Sequence, residues 1–277
     1  MARRVSRRVV GWLAALLCIL SLFCIPSTLA GARMAVPIIG PKEHYLALGD
    51  SMAFGYQPNL DFDHGYAEYF YQNLRQYGTS SYVNMSCPGE TSKTIQTGEC
   101  PYPFLRKYPY LGSQLEAALT YINEHKGKVS PVTFNIGSND ILSFFDVKTC
   151  KGDVPRFRQA LQQMDMQLTQ VIFPKLREAL TVNGEPTGDI ILVNYYNPFQ
   201  NECPNTVQFI QELNGHLAAD IRGYGSLVDT FAAFGGAETP NLRICAYTWI
   251  CSDFHDIHAT PEGHQVIARA ISRTVGY

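Results

Sequence analysis

The sequence predicts an α/β fold, a parallel sheet covered by helices on both faces. Three observations carry that expectation. Short apolar runs of strand length, such as 45–48 and 131–136, alternate with longer segments whose apolar residues recur at helical spacing. Several of the runs end in glycine, asparagine or serine, the residues of a sharp exit. The 277-residue chain is 46% hydrophobic and only 17% charged, so it has the material for one sizeable core.

The N-terminus stands apart from that pattern. Arg3, Arg4, Arg7 and Arg8 precede an apolar run over 9–25, followed by Pro26 and the small-residue stretch Ala30-Gly31-Ala32. A positive start, an apolar middle and an A-x-A ending mark a secretory signal peptide, which makes the product secreted and extracellular. A retained signal-anchor is the alternative, since the run nearly reaches spanning length. The expected layout is a signal peptide over 1–32 and one folded domain over 33–277. Cutting after Ala32 takes the formal charge from −2 to −6, because four arginines go and no acidic residue does. Such a product has no electrostatic footprint for nucleic acid or anionic lipid, and no stable membrane insertion is expected once the signal is removed. Six cysteines remain: Cys87, Cys100, Cys150, Cys203, Cys245 and Cys251. An even count in an exported chain argues for three disulfides, although many pairings are possible. Neighbour pairing would join Cys87 to Cys100 and Cys245 to Cys251, leaving Cys150 for Cys203. No CxxC pair supports a structural zinc.

After a linker containing Pro37, Gly40 and Pro41, the first strand runs into Gly49-Asp50-Ser51. A helix is expected over about 65–77. A short strand over 81–85 leaves into Ser86-Cys87-Pro88-Gly89-Glu90-Thr91, and 92–112, rich in Pro, Gly and Tyr, read as a long surface loop. Ser113 with Glu116 three residues on is a capping box, and Leu115, Ala118, Leu119 and Ile122 give the helix it opens one apolar face. The clearest strand, 131–136, exits into Gly137-Ser138-Asn139-Asp140. After a second loop, 143–154, a long helix begins near Pro155. Its stripe is Phe157, Leu161, Met164, Leu168, Ile172, Leu176 and Leu180, with a kink expected at Pro174. The strand 189–194 leaves into Tyr195-Tyr196-Asn197-Pro198-Phe199, and a helix over about 205–222 precedes a short strand at 226–229. The last helix opens at Thr260-Pro261, with proline at its favoured first position.

In a parallel sheet, ligands bind outside the carboxyl ends of the strands. Ser51, Gly89 and Asn139 each follow an expected strand, so all three should reach one edge, where His258 can join them. Hydrolysis at a serine needs a nucleophile, a base to take its proton, and donors for the oxyanion. Ser51 can be the nucleophile and His258 the base. The N–H groups of Ser51 and Gly89 and the Asn139 amide can be the donors, and a side chain at position 89 would obstruct close approach of substrate.

Four blocks carry a resemblance: Gly49-Asp50-Ser51, then Gly89, then Gly137-Ser138-Asn139-Asp140, then His258-Ala259-Thr260-Pro261-Glu262-Gly263-His264. Their order resembles that of the SGNH (GDSL-type) hydrolase family, and they span almost the whole mature chain. The resemblance implies a flavodoxin-like, three-layer α/β/α sandwich with about five parallel strands. It further implies a secreted esterase or lipase that works without metal or cofactor. Ser51 would be its nucleophile, His258 its base, and Ser51, Gly89 and Asn139 its oxyanion hole.

The sequence departs from the family at the third member. Where the family places an aspartate, three residues before the histidine, this chain has His255, with Asp253 and Asp256 on either side. Residues two apart on an extended segment share a face, which favours Asp256, with Asp253 or a backbone carbonyl as alternatives. Asp253, His255, Asp256 and His258 are spaced too closely for a metal cluster. His264 is expected to pack or cap the final helix. Tyr56, Phe144, Phe145, Tyr195, Tyr196 and Phe199 follow strands and should flank the site, favouring acyl chains longer than acetyl. The expected activity is carboxylic ester hydrolysis through an acyl-enzyme on Ser51, by a monomer acting on a small-molecule or lipid ester. A carbohydrate O-deacetylase of the same family and a non-catalytic exported binding protein are the alternatives.

Overall fold

Strand β1 (His44–Gly49) is buried along its whole length, which is why its sequence is a continuous apolar run. The computed structural model describes residues 36–277, so the expected signal peptide lies outside the described residues. Four further strands join β1 in one parallel sheet: β2 (Ser81–Asn84), β3 (Val129–Asn135), β4 (Ile190–Val193) and β5 (Ser226–Val228). Their spatial order is β2-β1-β3-β4-β5. The chain therefore reverses its direction of winding between β1 and β3, and the crevice at a doubly wound sheet's switch point opens at their carboxyl ends. The register pairs Gly49 with Asn135, so the turns that follow these two strands start side by side.

Helices cover both faces, completing a three-layer α/β/α sandwich. The described elements that matter here are α1 (Ser51–Phe54), α2 (Tyr66–Leu74), α3 (Gln114–Glu124), α4 (Val154–Gln167), α5 (Phe173–Ala179), α6 (Thr206–Asp220) and α7 (Pro261–Val275). Helix α2 packs on α7, while α3 packs on α5 and α4 on α6. Ser113 caps α3 by accepting from the Glu116 N–H at 3.1 Å, and Thr260 caps α7 by accepting from Gly263 at 3.2 Å. The apolar face of α7 buries Val266, Ile267, Ala270 and Ile271. No helix among the described residues is long and apolar enough to cross a membrane.

One detail differs from the sequence expectation and another refines it. Strand β3 begins at Val129 and carries Pro131 inside it, and the pairing with β1 slips between His44 and Leu46, where proline has no N–H to offer the ladder. At Pro174 the helix does not break. It widens into a π turn at Leu168–Ile172 and resumes as α5 with Pro174 in its first turn. The looser turn accommodates both the missing donor and the ring that would press on the preceding turn. Three disulfides tie the loops: Cys87–Cys100, Cys150–Cys203 and Cys245–Cys251.

Candidate active site

The turn after β1 can be made only by glycine. Gly49 has φ of +128°, and a Cβ there would sit 1.9 Å from the Asn135 carbonyl oxygen. That close approach lets the Asp50 N–H donate to the same carbonyl at 3.0 Å. Gln114, on α3, clamps Gly49 from the other side: its Oε1 accepts from the Gly49 N–H at 2.6 Å and its Nε2 donates to the Gly49 carbonyl at 3.0 Å. Asp50 then caps α1 by accepting from the Met52 N–H at 2.9 Å. Ser51 is thereby fixed as the first residue of a short helix at the sheet's carboxyl edge.

The Ser51 Oγ lies 2.8 Å from His258 Nε2, and His258 Nδ1 lies 2.7 Å from Asp256 Oδ1. The same Oδ1 accepts from the His258 backbone N–H at 2.8 Å. A proton on Nδ1 satisfies the carboxylate and leaves Nε2 as acceptor for the serine hydroxyl. Burial pushes the Asp256 carboxyl up, but its hydrogen bonds to His258 and the charge of that ring together outweigh this and hold it below the usual carboxylate range. The segment bends at His255, whose φ of +45° is left-handed. Trp249 anchors the bend by accepting from the Asp256 N–H and donating to the His258 carbonyl, at 3.3 and 3.0 Å. Asp253 stands on its exposed side.

Gly89 and Asn139 come to the same edge. The Asn139 Nδ2 donates to the Glu90 carbonyl at 2.9 Å, which locks the turn after β3 to the turn after β2. Gly89 has φ of +82°, and its missing side chain makes room for Pro101 and Tyr102, whose nearest atoms would lie 3.1 and 3.3 Å from a Cβ. The left-handed φ and the crowding by the protein's own loop thus call for glycine here, beside the approach of substrate that the sequence suggests. Ser51, Gly89, Asn139, Asp256 and His258 all line one cleft of about 780 Å³.

The walls of the cleft are mostly apolar. Tyr56, Phe145, Tyr195, Tyr196 and Phe199 line it, while Phe144 does not and packs against the core instead. A 3₁₀ turn ends at Phe144 and an extended residue follows, so the two phenylalanines do not share a face. Phe62, Tyr102, Phe104, Leu142, Phe209 and Ile210 add to the walls, a set that sequence reasoning missed. They come from loops and from α6, and apart from Leu142, three residues after Asn139, they are brought in by contacts beyond the reach of local sequence. His264 is fully buried and accepts from the Tyr66 N–H at 3.1 Å, joining α7 to α2. Burial first, then the neighbouring charge of His258, pushes it down to about 3, so it stays neutral. Cys87, Glu90 and Cys100 also converge, but both sulfurs are spent in their disulfide.

Fold and site together define a hydrolase of the α/β/α type, with its polar residues at the switch-point crevice. The particular family follows from comparison. The model of the GDSL-like lipase/acylhydrolase family matches residues 45–271, and the chain belongs to that family, whose members hydrolyse esters. Solved structures share the fold. A lipase from a goat rumen metagenome is 19% identical with a TM-score of 0.61, covering 84% of this chain and 97% of its own. An acetylxylan esterase from Geobacillus stearothermophilus is 20% identical with a TM-score of 0.51, covering 87% and 97%. A phospholipase A1 from Streptomyces albidoflavus NA297 is 15% identical with a TM-score of 0.51, covering 84% and 99%. At such identities the likeness is one of fold. No curated protein matches the chain.

Proposed function

We propose that this chain is an exported serine ester hydrolase acting on carboxylic esters with acyl chains longer than acetyl. The observation that carries the reading is the unbroken hydrogen-bonded line from Ser51 Oγ through His258 to Asp256, at 2.8 and 2.7 Å. Ser51 Oγ attacks the ester carbonyl carbon and passes its proton to His258 Nε2, while Asp256 holds the Nδ1 proton and balances the imidazolium. The carbonyl oxygen becomes an oxyanion and accepts from the N–H groups of Ser51 and Gly89 and from the Asn139 amide. One Asn139 N–H is taken by Glu90, and an amide nitrogen carries a second. The alcohol leaves with the proton from His258, forming the acyl-enzyme. Water then gives its proton to Nε2 as it attacks, and the acid is released with Ser51 restored.

The apolar walls support the preference for longer acyl chains, since they give each added methylene a dry surface. They also weigh against a carbohydrate deacetylase, whose sugar would need polar partners. Export rests on the signal-like residues 1–32 and fits the three disulfides. The test is a panel of nitrophenyl esters from acetyl to palmitoyl on wild type and Ser51→Ala, with fluorophosphonate labelling of Ser51. Turnover should rise beyond acetyl and vanish in the variant. Hydrolysis of acetyl esters alone would refute the acyl preference, and an unlabelled, inactive wild type would refute the enzyme.

A further inference from the structure

Beneath Ser51 lies a fully buried carboxylate that the steps of ester hydrolysis do not use. Asp50 has no exposed surface, and its Oδ2 accepts from the Tyr195 hydroxyl at 2.6 Å and from the Ser138 hydroxyl at 3.3 Å. Its Oδ1 is the cap of α1. One carboxylate therefore joins the turns after β1, β3 and β4, the turns that carry Ser51, Asn139 and Tyr195 itself. Tyr195 is in turn fixed from behind: Asn214 on α6 accepts from its N–H at 3.1 Å and donates to its carbonyl at 2.8 Å. Tyr195 stays a phenol, because burial and the charge of Asp50 push its hydroxyl well above the usual range, so it can only donate to the carboxylate.

Resting on the hydrolase reading, we propose that Tyr195 is a positioning residue for the reaction. Its hydroxyl holds Asp50 as a buried carboxylate, which keeps the nucleophile turn and the Ser138-Asn139 turn in register and presents a negative charge toward His258. The titratable groups that face Asp50 are His258, Glu90, Tyr66, Tyr195 and Tyr196. Of these only His258 can be a cation. Burial pushes the Asp50 carboxyl up to about 6, and the hydrogen bond from Tyr195 is the strongest influence holding it down. Without that hydroxyl the carboxyl protonates at higher pH, loses its charge and gives up one of its ties.

The test uses Tyr195→Phe, Asp50→Asn and the double variant, with kcat and KM for p-nitrophenyl butyrate measured from about pH 5 to 9. Circular dichroism melts check folding. Tyr195→Phe keeps the ring that lines the cleft, so KM should barely move while kcat falls about tenfold, as expected for losing a hydrogen bond to a charged group. The acid limb of its kcat/KM profile should move up by about one pH unit. In the Asp50→Asn background the same change should cost nothing further and shift no limb, because no carboxyl remains to titrate. An unmoved acid limb in Tyr195→Phe, or an equal loss in both backgrounds, would overturn the proposal. Should Asp50→Asn fail to fold, the limb shift in Tyr195→Phe decides alone. If the wild type neither turns over esters nor takes a fluorophosphonate, the hydrolase reading itself has failed, and this inference with it.

Discussion

Replacing Asp256 by asparagine separates what the third residue does by charge from what it does by shape. One oxygen, Oδ1, accepts both the His258 backbone N–H and the ring Nδ1–H, at 2.8 and 2.7 Å. An asparagine oxygen in the same place can accept both, and the opposite amide orientation would set N–H against N–H. The ring should therefore keep its orientation and its tautomer, and only the negative charge is lost. Two unit charges about 4 Å apart interact by about 4 kcal/mol at an effective dielectric near 20. The Asp256 side chain is 24% exposed, and solvent screening lowers this to roughly 2–3 kcal/mol. That is a drop in kcat of on the order of a hundredfold, at about 1.4 kcal/mol per factor of ten.

Asp256→Ala releases the ring as well and should lose on the order of ten times more. Asp253→Asn, at an exposed position, should stay within about twofold of wild type. The assay is kcat on a nitrophenyl ester whose chain fits the cleft, with melting temperatures as the control for folding. A large effect at Asp253 with a small one at Asp256 would move the role, and mild effects at both would transfer it to a backbone carbonyl. Equal losses in Asp256→Asn and Asp256→Ala would refute the separation of charge from shape.

Two other outcomes follow from the geometry. Gly49→Ala should destabilise by on the order of 4 kcal/mol or more, since its Cβ would sit 1.9 Å from a carbonyl oxygen at a left-handed φ; a melting temperature close to wild type would refute the argument for glycine. The folded Asp256 carboxyl lies below its ordinary 3.8, so its stabilising contribution is complete above that value and lost as pH falls through the folded pKa. Wild type should accordingly lose melting temperature faster than Asp256→Asn below about pH 4, and parallel acid melting curves would count against it.

What was legible in the sequence is what local chemistry encodes. A strand buried on both faces has to be apolar throughout, so 45–48 and 131–136 stand out without any knowledge of their neighbours. Polar residues just past such strands must gather at one edge, which is why the order of residues alone groups Ser51, Gly89 and Asn139. The missed features depend on pairs far apart in the chain. Gln114 lies in an ordinary helical segment, and nothing around it signals that its amide will clamp Gly49, 65 positions away. Tyr195 and Phe144 are both aromatics after strands, yet one reaches Asp50 across 145 positions and the other faces the core. The apolar walls contributed by Tyr102, Phe104 and Phe209 were hidden for the same reason.

The displaced aspartate shows how local and distant constraints divide the work at this site. Moving the acid one residue nearer the histidine shortens the peptide between them, and a single oxygen can then hold both the backbone and the ring of His258. The residue before the acid, His255, is left-handed, a conformation that histidine tolerates better than most. The hydrogen bonds of Trp249 with Asp256 and His258, and of the His255 N–H with the Ser252 carbonyl, hold that conformation. Orientation of the imidazole is thus settled mostly within one short stretch of chain, with one distant tie, the Tyr196 hydroxyl donating to the Ile257 carbonyl at 2.8 Å. Ser51 depends instead on partners from β3, α3 and the turn after β4, through the Asn135 carbonyl, the Gln114 amide and the Tyr195 hydroxyl. Loosening the sheet edge should therefore disturb the serine more than the histidine and its carboxylate, so the 2.8 Å contact between Ser51 and His258 is where damage from distant substitutions should first be felt.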